Sequence, residues 1–268
     1  MLPSPTESTS DKDIDMDNNE YRARIKSKTY LNTDTILFEL SCPEIASLAK
    51  PGQFVNVSCG KFLKRPFGIA GADKDDGIIK IGVKIVGHGT ENLSLLKEGE
   101  IVDILGPLGN GFDLDSFDSY ILSGGGTGVF PLNFTYDVLT QTGKEVSVVF
   151  GFRNMDQIVM AQEGFVITTD SGDYGIHGNV ITGLDSIELK GNPCVLCVGP
   201  TPMMKGVGTW AQSKGLKCYV STEQHMACGV GICLVCVCKT KSDVPGEDFK
   251  HVRCCKDGPV FDYEEVIL

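Results

Sequence analysis

The feature that most constrains this chain is a dense run of cysteines in the stretch HMACGVGICLVCVC at positions 225–238. Cys228, Cys233 and Cys236 follow the spacing C-x4-C-x2-C, and two adjacent cysteines come later in the chain. Three clustered thiols with one distant fourth are typical of the [2Fe–2S] clusters of plant-type ferredoxins. Glycines within the loop suit it, because glycine tolerates the positive φ angles and close approach that wrapping two irons requires. The spacing therefore favours a thiolate-ligated [2Fe–2S] cluster.

Zinc is the alternative metal, because Cys233 and Cys236 form a C-x2-C clip that Cys254 or Cys255 could complete. Zinc sites usually combine two short clips, and the three-thiol clip here is unlike them. Disulfides are disfavoured, because the chain has an odd number of cysteines, eleven, and its first residues lack the basic start and apolar core of a signal peptide. Spacing alone does not choose between Cys254 and Cys255 as the fourth ligand.

Composition excludes several classes of partner. The formal net charge of −11 argues against nucleic acid and against anionic membrane surfaces. No apolar run reaches the roughly 18 residues that a membrane span needs. We therefore expect no nucleic-acid partner, no membrane association and a cytoplasmic location. The polar composition of residues 1–19 predicts a disordered tail.

The rest of the pattern predicts a mixed β and α/β protein. Residues 20–115 contain short alternating runs such as TILFELSC and IIKIGVKIV, interrupted by one short helix with Thr90 as its N-cap. This pattern predicts a small antiparallel β-barrel. Strands alternate with helices over residues 116–215, which predicts a parallel-sheet nucleotide-binding domain. Residues 216–268 are cysteine-rich and loop-rich, and we expect them to form a small cluster domain.

Glycine-rich segments after two strands of the second unit point to a nucleotide. SGGGTGVFPL follows the strand-like SYIL and opens a helix, so its backbone can approach a pyrophosphate at the helix N-terminus. CVGPTPMMKG ends a later strand, and strand C-terminal ends at one sheet edge are where nucleotides bind. Val129 takes the last glycine position of G-x-G-x-x-G, so a packing turn is the alternative interpretation. The candidate residues are Gly124, Gly125, Gly126, Thr127, Gly128, Gly199 and Pro200.

Two anion-binding signals lie in the predicted barrel. KRPFGIAG places Arg65 and Pro66 at the start of a strand, and the planar fork of arginine binds phosphate through two hydrogen bonds. GHGTENL places Gly89 and Thr90 at the start of a helix, which is a second anion site. The alternative for Arg65 is a surface charge on a strand.

In chain order, the motifs R-P-x-x-I at 65–69, G-x-G-T at 87–90, GPLGNGF at 106–112, G-G-G-x-G at 124–128 and GPTPMM at 199–204 resemble the ferredoxin–NADP reductase superfamily. MACGVGICLVC together with CKDGPVF resembles, more narrowly, the electron-transfer subunits of type B, NAD-linked dihydroorotate dehydrogenase. The resemblance extends from about Glu20 to Leu268. It implies FAD, one [2Fe–2S] cluster, an NAD(H) site and a role in pyrimidine (UMP) biosynthesis. It also implies an FMN-containing catalytic partner subunit, typically in a heterotetramer of two of each.

The resemblance also implies site residues. The family's fourth cluster ligand stands directly before x-D-G-P-V-F, which selects Cys255 beside Cys228, Cys233 and Cys236 and leaves Cys254 as an apolar filler. If VRCCK is extended, the two adjacent thiols point to opposite faces, so only one reaches the loop. The FAD contacts map onto Arg65, Pro66, Phe67, Gly68, Gly82, Val83, Lys84, Gly89 and Thr90.

Three positions depart from the family pattern. Thr127 stands in the glycine loop where an apolar residue is common. Gly68 stands where the family often has serine or threonine, so that hydrogen bond to the flavin must come from the backbone or be absent. Val198 stands where the superfamily often has a cysteine near the nicotinamide. Cys197, one residue earlier, is expected to point to the opposite strand face.

These cofactors together predict a path for electrons. NADH gives up a hydride, a [2Fe–2S] cluster accepts one electron, and FAD connects the two. Hydride transfer needs no acid or base, so no catalytic side chain is assigned. NADH is expected over NADPH from the resemblance, with Arg153 as the residue that could bind a 2′-phosphate.

Two other functions remain open. One is a reductase subunit for another partner, such as an oxygenase, a hydrogenase or an NADPH–ferredoxin transhydrogenase. Transhydrogenase subunits tend to have aspartate at the first cluster cysteine, so Cys228 argues against them. The other is a regulatory module that binds a nucleotide and is held together by zinc.

Overall fold

Six antiparallel strands close into a barrel in the first unit of the structure, a computed structural model that describes residues 20–268. The predicted tail at 1–19 lies outside the described residues. The barrel order is β1-β2-β5-β4-β3-β6, which confirms the predicted antiparallel barrel. The strands are β1 Glu20–Tyr30, β2 Thr35–Ser41, β3 Phe54–Val57, β4 Arg65–Asp73, β5 Ile78–Lys84 and β6 Ile101–Leu108.

Alternation along the strands explains the barrel interior. Val55 and Val57 of β3, and Ile79, Ile81 and Val83 of β5, are all buried in one apolar cluster. Their neighbours in sequence face the other way, because successive side chains of a strand point to opposite faces. The short apolar runs of the sequence are therefore the inward faces of the strands.

The barrel has two helices where the sequence predicts one. Helix α1, Pro43–Leu48, was not expected, and it buries Ile45 and Ala46. At six residues it is too short to give a helical period, which is why the pattern does not show it. Helix α2, His88–Leu95, is the predicted one.

Thr90 is not the N-cap of α2, so that prediction was wrong. The N-cap is Gly87, and Thr90 is the third helical residue. Its Oγ1 accepts hydrogen bonds from the backbone N–H groups of Val86 at 2.9 Å and Gly87 at 3.2 Å. The hydroxyl thus closes the helix start from inside the first turn.

The second unit is a parallel sheet with helices on both faces. Its core side chains divide between two clusters, one on the α3 face and one on the face covered by α4 and α5. This is the arrangement that alternating strands and helices predict. The elements are β7 Ser119–Gly125, α3 Val129–Gln141, β8 Glu145–Phe152, β9 Val166–Thr169, β10 Ile176–His177, α4 Val180–Ser186, β11 Cys194–Val198, α5 Thr201–Ser213 and β12 Cys218–Ser221.

The C-terminal unit leaves this sheet and returns to it. Its elements are β13 Val237–Lys241, β14 Phe249–Arg253, α6 Cys254–Asp257, β15 Val260–Asp262 and β16 Val266–Ile267. Strands β14-β13-β16 form a small sheet, whereas β15 pairs antiparallel with β12. With β15 as an antiparallel strand at its edge, this sheet has seven strands, in the order β10-β9-β8-β7-β11-β12-β15.

The domain boundary expected at 216 does not coincide with the edge of the sheet. Residues 218–221 and 260–262 belong to the parallel sheet, although the sequence places both in the cysteine-rich unit. Strands of four and three residues are too short to show alternation, and cysteine density hides them. Among residues 20–268, no helix is long and apolar enough to cross a membrane.

Candidate cofactor sites

The structure brings the four predicted cluster ligands together as two pairs. The backbone N–H of Cys233 donates to the Sγ of Cys228 at 3.5 Å, so the two ends of the loop meet. The backbone N–H of Cys255 donates to the Sγ of Cys236 at 3.4 Å. The four thiols therefore lie as two pairs at the loop between Cys228 and Cys236.

Two pairs of thiols suit a [2Fe–2S] cluster better than zinc. Four cysteines hold the two irons of such a cluster, which gives each iron two thiolates. Structural zinc instead needs four ligands around a single point. Within residues 20–268, no three His, Cys, Asp or Glu side chains converge as the ligands of one ion would. The donor set thus fits the iron–sulfur cluster.

The loop backbone is shaped for this role. Gly229 and Gly231 have φ angles of 73° and 84°, which confirms the positive values expected of the loop glycines. A side chain at Gly231 would also come within 2.8 Å of the Lys256 side chain. Both positions therefore need glycine, for conformation and for space.

The paired thiols differ in their readiness to bind metal. Burial opposes ionisation of Cys228, but hydrogen bonds from loop N–H groups, including that of Cys233, outweigh it and lower its pKa to about 6. Burial, with help from the neighbouring Cys236 thiol, raises the pKa of Cys255 to about 12. The thiolate is the form that ligates metal. The loop N–H groups therefore favour the thiolate form of Cys228, whereas burial disfavours the thiolate form of Cys255.

Cys254 faces away from the four thiols. It is fully buried, and its Sγ donates to the backbone oxygen of Thr222 at 3.3 Å. The condition that VRCCK is extended does not hold at the two cysteines, because α6 begins at Cys254. Successive side chains of a helical turn also diverge, so only one of the two reaches the loop. That one is Cys255.

An ion pair that the sequence analysis missed holds the loop in place. Arg253 donates from Nε to Oδ2 of Asp257 at 3.0 Å, and from Nη1 to the backbone oxygen of Gly231 at 3.1 Å. The Arg253 guanidinium lowers the pKa of Asp257. The i,i+4 spacing of opposite charges around the fourth ligand was the available signal.

The barrel brings the predicted anion-binding residues together. Arg65 begins β4, and a Cβ added to Gly89 would lie 3.3 Å from its Nε. The guanidinium therefore lies against the first turn of α2, where unpaired N–H groups and the helix dipole favour an anion. Arg65 Nη1 also donates to the backbone oxygen of Leu63 at 3.2 Å, which fixes the direction of the side chain. A cationic fork beside a helix N-terminus fits a pyrophosphate.

Two of the residues predicted to contact the flavin, Gly68 and Gly82, pack against the second unit. A Cβ at Gly82 would lie 2.2 Å from the ring of Phe130, and one at Gly68 would lie 3.2 Å from the ring of Pro131. Both rings belong to α3 of the second unit, so these glycines let that unit dock on the barrel. The departure at Gly68 thus has a packing reason. Val83 points into the barrel interior, so only its backbone can face a cofactor.

A cleft of about 690 Å³ opens at the C-terminal edge of the parallel sheet, beside the barrel. It is lined by the predicted Gly125, Gly126, Thr127, Pro200 and Lys84. This is the edge at which nucleotides bind in such sheets. Arg153, Asp170 and Asn179 also line the cleft.

The remaining predicted glycines pack rather than line the cleft. A Cβ at Gly124 would meet Leu132 and Phe150 at 2.9 Å, and one at Gly128 would meet the backbone oxygen of Val198 at 2.2 Å. These two let the loop and α3 lie close to the sheet. Gly199 is held in the same way by Met203, at 2.5 Å.

Two loops at the cleft are joined by backbone hydrogen bonds. The N–H of Ser171 donates to the oxygen of Arg153, and that of Asp170 to the oxygen of Phe152, both at 3.0 Å. Asp173 accepts from the N–H of Met155 at 3.0 Å. These bonds fix an arginine and an aspartate side by side in the cleft. Sequence reasoning identified Arg153, and it predicted that the segment TTDSGDYGIHG, which contains Asp170, could line the same crevice.

The cysteine before the GPTP turn has no place in the cleft. Cys197 is fully buried in the core cluster on the α4 and α5 face. Val198, the next residue, is buried on the α3 face. This is the opposite-face arrangement expected from alternation along β11.

Two families of domains match the chain. "Oxidoreductase FAD-binding domain" matches residues 22–112, and "Iron-sulfur cluster binding domain of dihydroorotate dehydrogenase B" matches residues 223–267. The two matches coincide with the barrel and with the cysteine-rich unit.

Curated relatives match over most of the chain. The dihydroorotate dehydrogenase B (NAD(+)) electron transfer subunit of Caldanaerobacter subterraneus is 35% identical over 253 residues, which cover 92% of this chain and 98% of the relative. The subunit of the same name from Streptococcus mutans is 36% identical over 236 residues, covering 84% of this chain and 90% of the relative.

Solved structures share the fold. A NADH-dependent reduced ferredoxin–NADP oxidoreductase, studied for flavin-based electron bifurcation, aligns with a TM-score of 0.82 and 31% identity, covering 91% of this chain and 89% of its own. The ferredoxin reductase of carbazole 1,9a-dioxygenase aligns with a TM-score of 0.64 and 21% identity, covering 74% and 66%.

Proposed function

This chain belongs to the family of dihydroorotate dehydrogenase B electron transfer subunits, and we propose that it carries electrons between NAD(H) and a dihydroorotate-oxidising partner subunit, in pyrimidine (UMP) biosynthesis. It is an oxidoreductase subunit with sites for FAD, a [2Fe–2S] cluster and NAD(H). Dihydroorotate itself is oxidised on the partner. The proposed location is the cytoplasm, where a reducing environment disfavours disulfides, and none of the eleven cysteines is in a disulfide.

The observation that carries the proposal is the order of the three sites. The ligands Cys236 and Cys255 share a core cluster with Phe54 and Leu108 of the barrel. On another side, the barrel contributes Lys84 to the nucleotide cleft. The flavin barrel therefore touches both the cluster unit and the nucleotide unit, as an intermediate carrier must.

The residues of this chain hold and orient the cofactors. When bound, FAD accepts a hydride and releases its electrons one at a time, and the cluster carries single electrons. Arg65 with the start of α2 holds the pyrophosphate of FAD. Cys228, Cys233, Cys236 and Cys255 would hold the [2Fe–2S] cluster through their thiolates. The loop at Gly125 to Thr127 and the turn at Pro200 bind the nucleotide.

Anaerobic titration with NADH tests the proposal. The loaded protein is expected to be yellow-brown, and NADH should bleach the flavin absorbance and produce the EPR signal of a reduced [2Fe–2S] cluster. The physical reason is that both carriers lie on one chain with the nucleotide cleft. A colourless protein that contains zinc and does not respond to NADH would instead support the regulatory module.

NADH is expected to half-reduce the protein at a concentration at least about tenfold lower than NADPH requires. Asp170 places a carboxylate in the cleft beside Arg153, and repulsion between charges about 4 Å apart costs about 1 kcal/mol in water and about 4 kcal/mol near a protein surface. Asp170→Asn should narrow the preference and leave half-reduction by NADH nearly unchanged. The control is Arg153→Ala. A wild-type preference for NADPH that disappears in this variant would show that Arg153 binds the 2′-phosphate.

The proposed partner is an FMN-containing catalytic subunit, in a heterotetramer of two of each. The cluster loop supplies a surface for it, because apolar side chains around the ligands are turned outward. Ile232 is 80% exposed, and its neighbour Cys233 is exposed as well. Exposed apolar groups at this density mark a protein contact. The other outward apolar side chains of the loop are Val230, Leu234 and Val235.

Ile232→Glu is expected to weaken the complex by about 30-fold or more, because a charge placed at the centre of an apolar contact costs at least about 2 kcal/mol. The measurement is the dissociation constant with the catalytic subunit of the same organism. Iron content, measured in parallel, should stay at the wild-type value. Val244→Glu is the control, because Val244 is an exposed apolar residue of the same unit outside the loop. Equal affinity of the two variants would contradict this docking face.

A second candidate is a subunit of a reduced ferredoxin–NADP oxidoreductase, favoured by the structural match at 31% identity over most of both chains. Cys228 argues against it, because such subunits tend to have aspartate at that position. Identifying the protein that co-purifies from native extract separates the two. A dihydroorotate-oxidising flavoprotein supports the first function, and a larger ferredoxin-linked flavoprotein supports the second.

A further inference from the structure

Asn56 lies on the outer face of the barrel and is nevertheless buried. Its neighbours Val55 and Val57 point into the barrel interior, so alternation along β3 turns Asn56 outward. The side chain is only 1% exposed, because the cluster unit covers this part of the barrel. A polar residue thus lies between the two redox units, next to the apolar Phe54 and Leu108 of their shared core.

The Asn56 amide lies directly against the cluster loop. A Cβ added to Gly229 would come within 2.2 Å of Nδ2 of Asn56, and within 3.2 Å of the Leu108 side chain. Gly229 follows the ligand Cys228 in sequence. The amide therefore occupies the space in which a side chain of the loop would otherwise stand.

Across the strand ladder, Asn56 is adjacent to the flavin motif that begins at Arg65. In the ladder between β3 and β4, Asn56 is paired with Pro66, the residue after Arg65. One residue thus connects the start of the flavin-binding strand with the start of the cluster loop.

The amide is not accounted for by packing. Among the described residues, Oδ1 of Asn56 is buried and has no hydrogen-bond partner. A buried unpaired polar group is unfavourable, and an apolar side chain of similar size would serve this interface better if only packing mattered. The unpaired atom is the acceptor, and the Nδ2 donor is the end of the amide that faces the loop at Gly229.

We propose that Asn56 is a positioning residue for electron transfer between the flavin and the cluster. Its Nδ2 group, which lies against Gly229 beside the ligand Cys228, fixes the loop against the barrel and supplies the hydrogen-bond donor to the loaded cluster site. Hydrogen bonds to the sulfurs are one of the factors that set the potential of such clusters. A donor here stabilises the added negative charge of the reduced cluster and so raises its potential. The inference rests on the proposed function, because it requires that a cluster is bound.

The test is Asn56→Leu, measured in the complete protein by anaerobic redox titration followed by EPR. The expected result is a lower reduction potential of the cluster. The equilibrium constant for placing an electron on the cluster and not on FAD should fall about tenfold, which is equivalent to about 59 mV for a one-electron couple. FAD content and melting temperature should not fall, because an apolar isostere replaces an unpaired amide. Asn56→Ser keeps a donor and should fall between wild type and Asn56→Leu.

Thr240→Val is the matched control. Thr240 is also buried with an unpaired hydroxyl, and it lies on β13 in the unit that carries the cluster loop. Thr240→Val should leave the potential and EPR spectrum of the cluster unchanged. If Asn56→Leu has the wild-type potential and EPR spectrum, the inference is overturned. If Asn56→Leu fails to assemble a cluster, Asn56→Ser decides, and a wild-type potential in that variant overturns it as well. A wild-type protein with no EPR signal after reduction would refute the proposed function itself, which is a separate outcome.

Discussion

Cys255→Ser is expected to lose most of its iron and sulfide, whereas Cys254→Ser keeps both. Cys255 lies beside Cys236, because its backbone N–H donates to the Sγ of Cys236 at 3.4 Å. Cys254 instead donates to Thr222, outside the loop. Loss of a direct ligand should exceed the roughly 10–100-fold loss in metal affinity that follows removal of an outer-shell partner. Transfer from NADH to the partner subunit should fall at least as far.

The measurement is iron, sulfide and reduced-state EPR on both variants, purified without oxygen. Cys254→Ser is the matched control, because it makes the same change one residue away in the same helical turn. It should cost only the packing and the hydrogen bond of a buried thiol. A wild-type EPR signal in Cys255→Ser, together with its loss in Cys254→Ser, would shift the ligand assignment by one residue.

Arg65→Ala is expected to weaken FAD binding by about 10–100-fold, because a hydrogen bond to a charged group contributes about 1.5–3 kcal/mol. Arg65→Lys should recover part of the affinity, since lysine keeps the charge but not the planar fork. Iron content should stay near the wild-type value, because the thiols lie in another unit. Equilibrium titration of the FAD-free protein with FAD, followed by flavin fluorescence, gives the affinity.

Lys64→Ala is the control for Arg65. Lys64 precedes Arg65 and carries the same charge, but it pairs with Glu20 on β1. Its removal should change FAD affinity little, because an exposed ion pair contributes about 0–1 kcal/mol. Equal losses in Lys64→Ala and Arg65→Ala would mean that general positive charge, and not the fork at the start of α2, attracts the cofactor.

The sequence predicted the architecture wherever periodicity was long enough to read. The eight-residue strand β6 and the glycine loop between β7 and α3 were both recognised. Helix α1 and strand β15 were missed, because pieces of six and three residues show no reliable period. The fold class followed nonetheless, because the longer elements determine the layers.

The candidate site was predictable in its parts and not in its contacts. Covalent spacing fixes which thiols can share a loop, so Cys228, Cys233 and Cys236 were recognised from the sequence. The packing roles of Gly68 and Gly82 depend on Phe130 and Pro131, which are distant in the chain and meet them only in the folded state. Asn56 was missed for the same reason. Its partner is a loop more than a hundred residues away, and nothing local marks it.

The return of the chain to β15 makes the cluster unit an insertion between two neighbouring strands of the nucleotide sheet. The chain enters the unit after β12 and re-enters the sheet beside it, where the N–H of Thr222 donates to the oxygen of Pro259 and the N–H of Tyr263 to that of Cys218, both at 2.9 Å. Asn110 of the barrel also donates to the backbone oxygens of Lys256 and Asp257. An insertion held at both ends and clamped from the side cannot swing on a tether as a mobile carrier domain does. The cluster unit therefore exchanges electrons with the partner subunit from a fixed position on this chain.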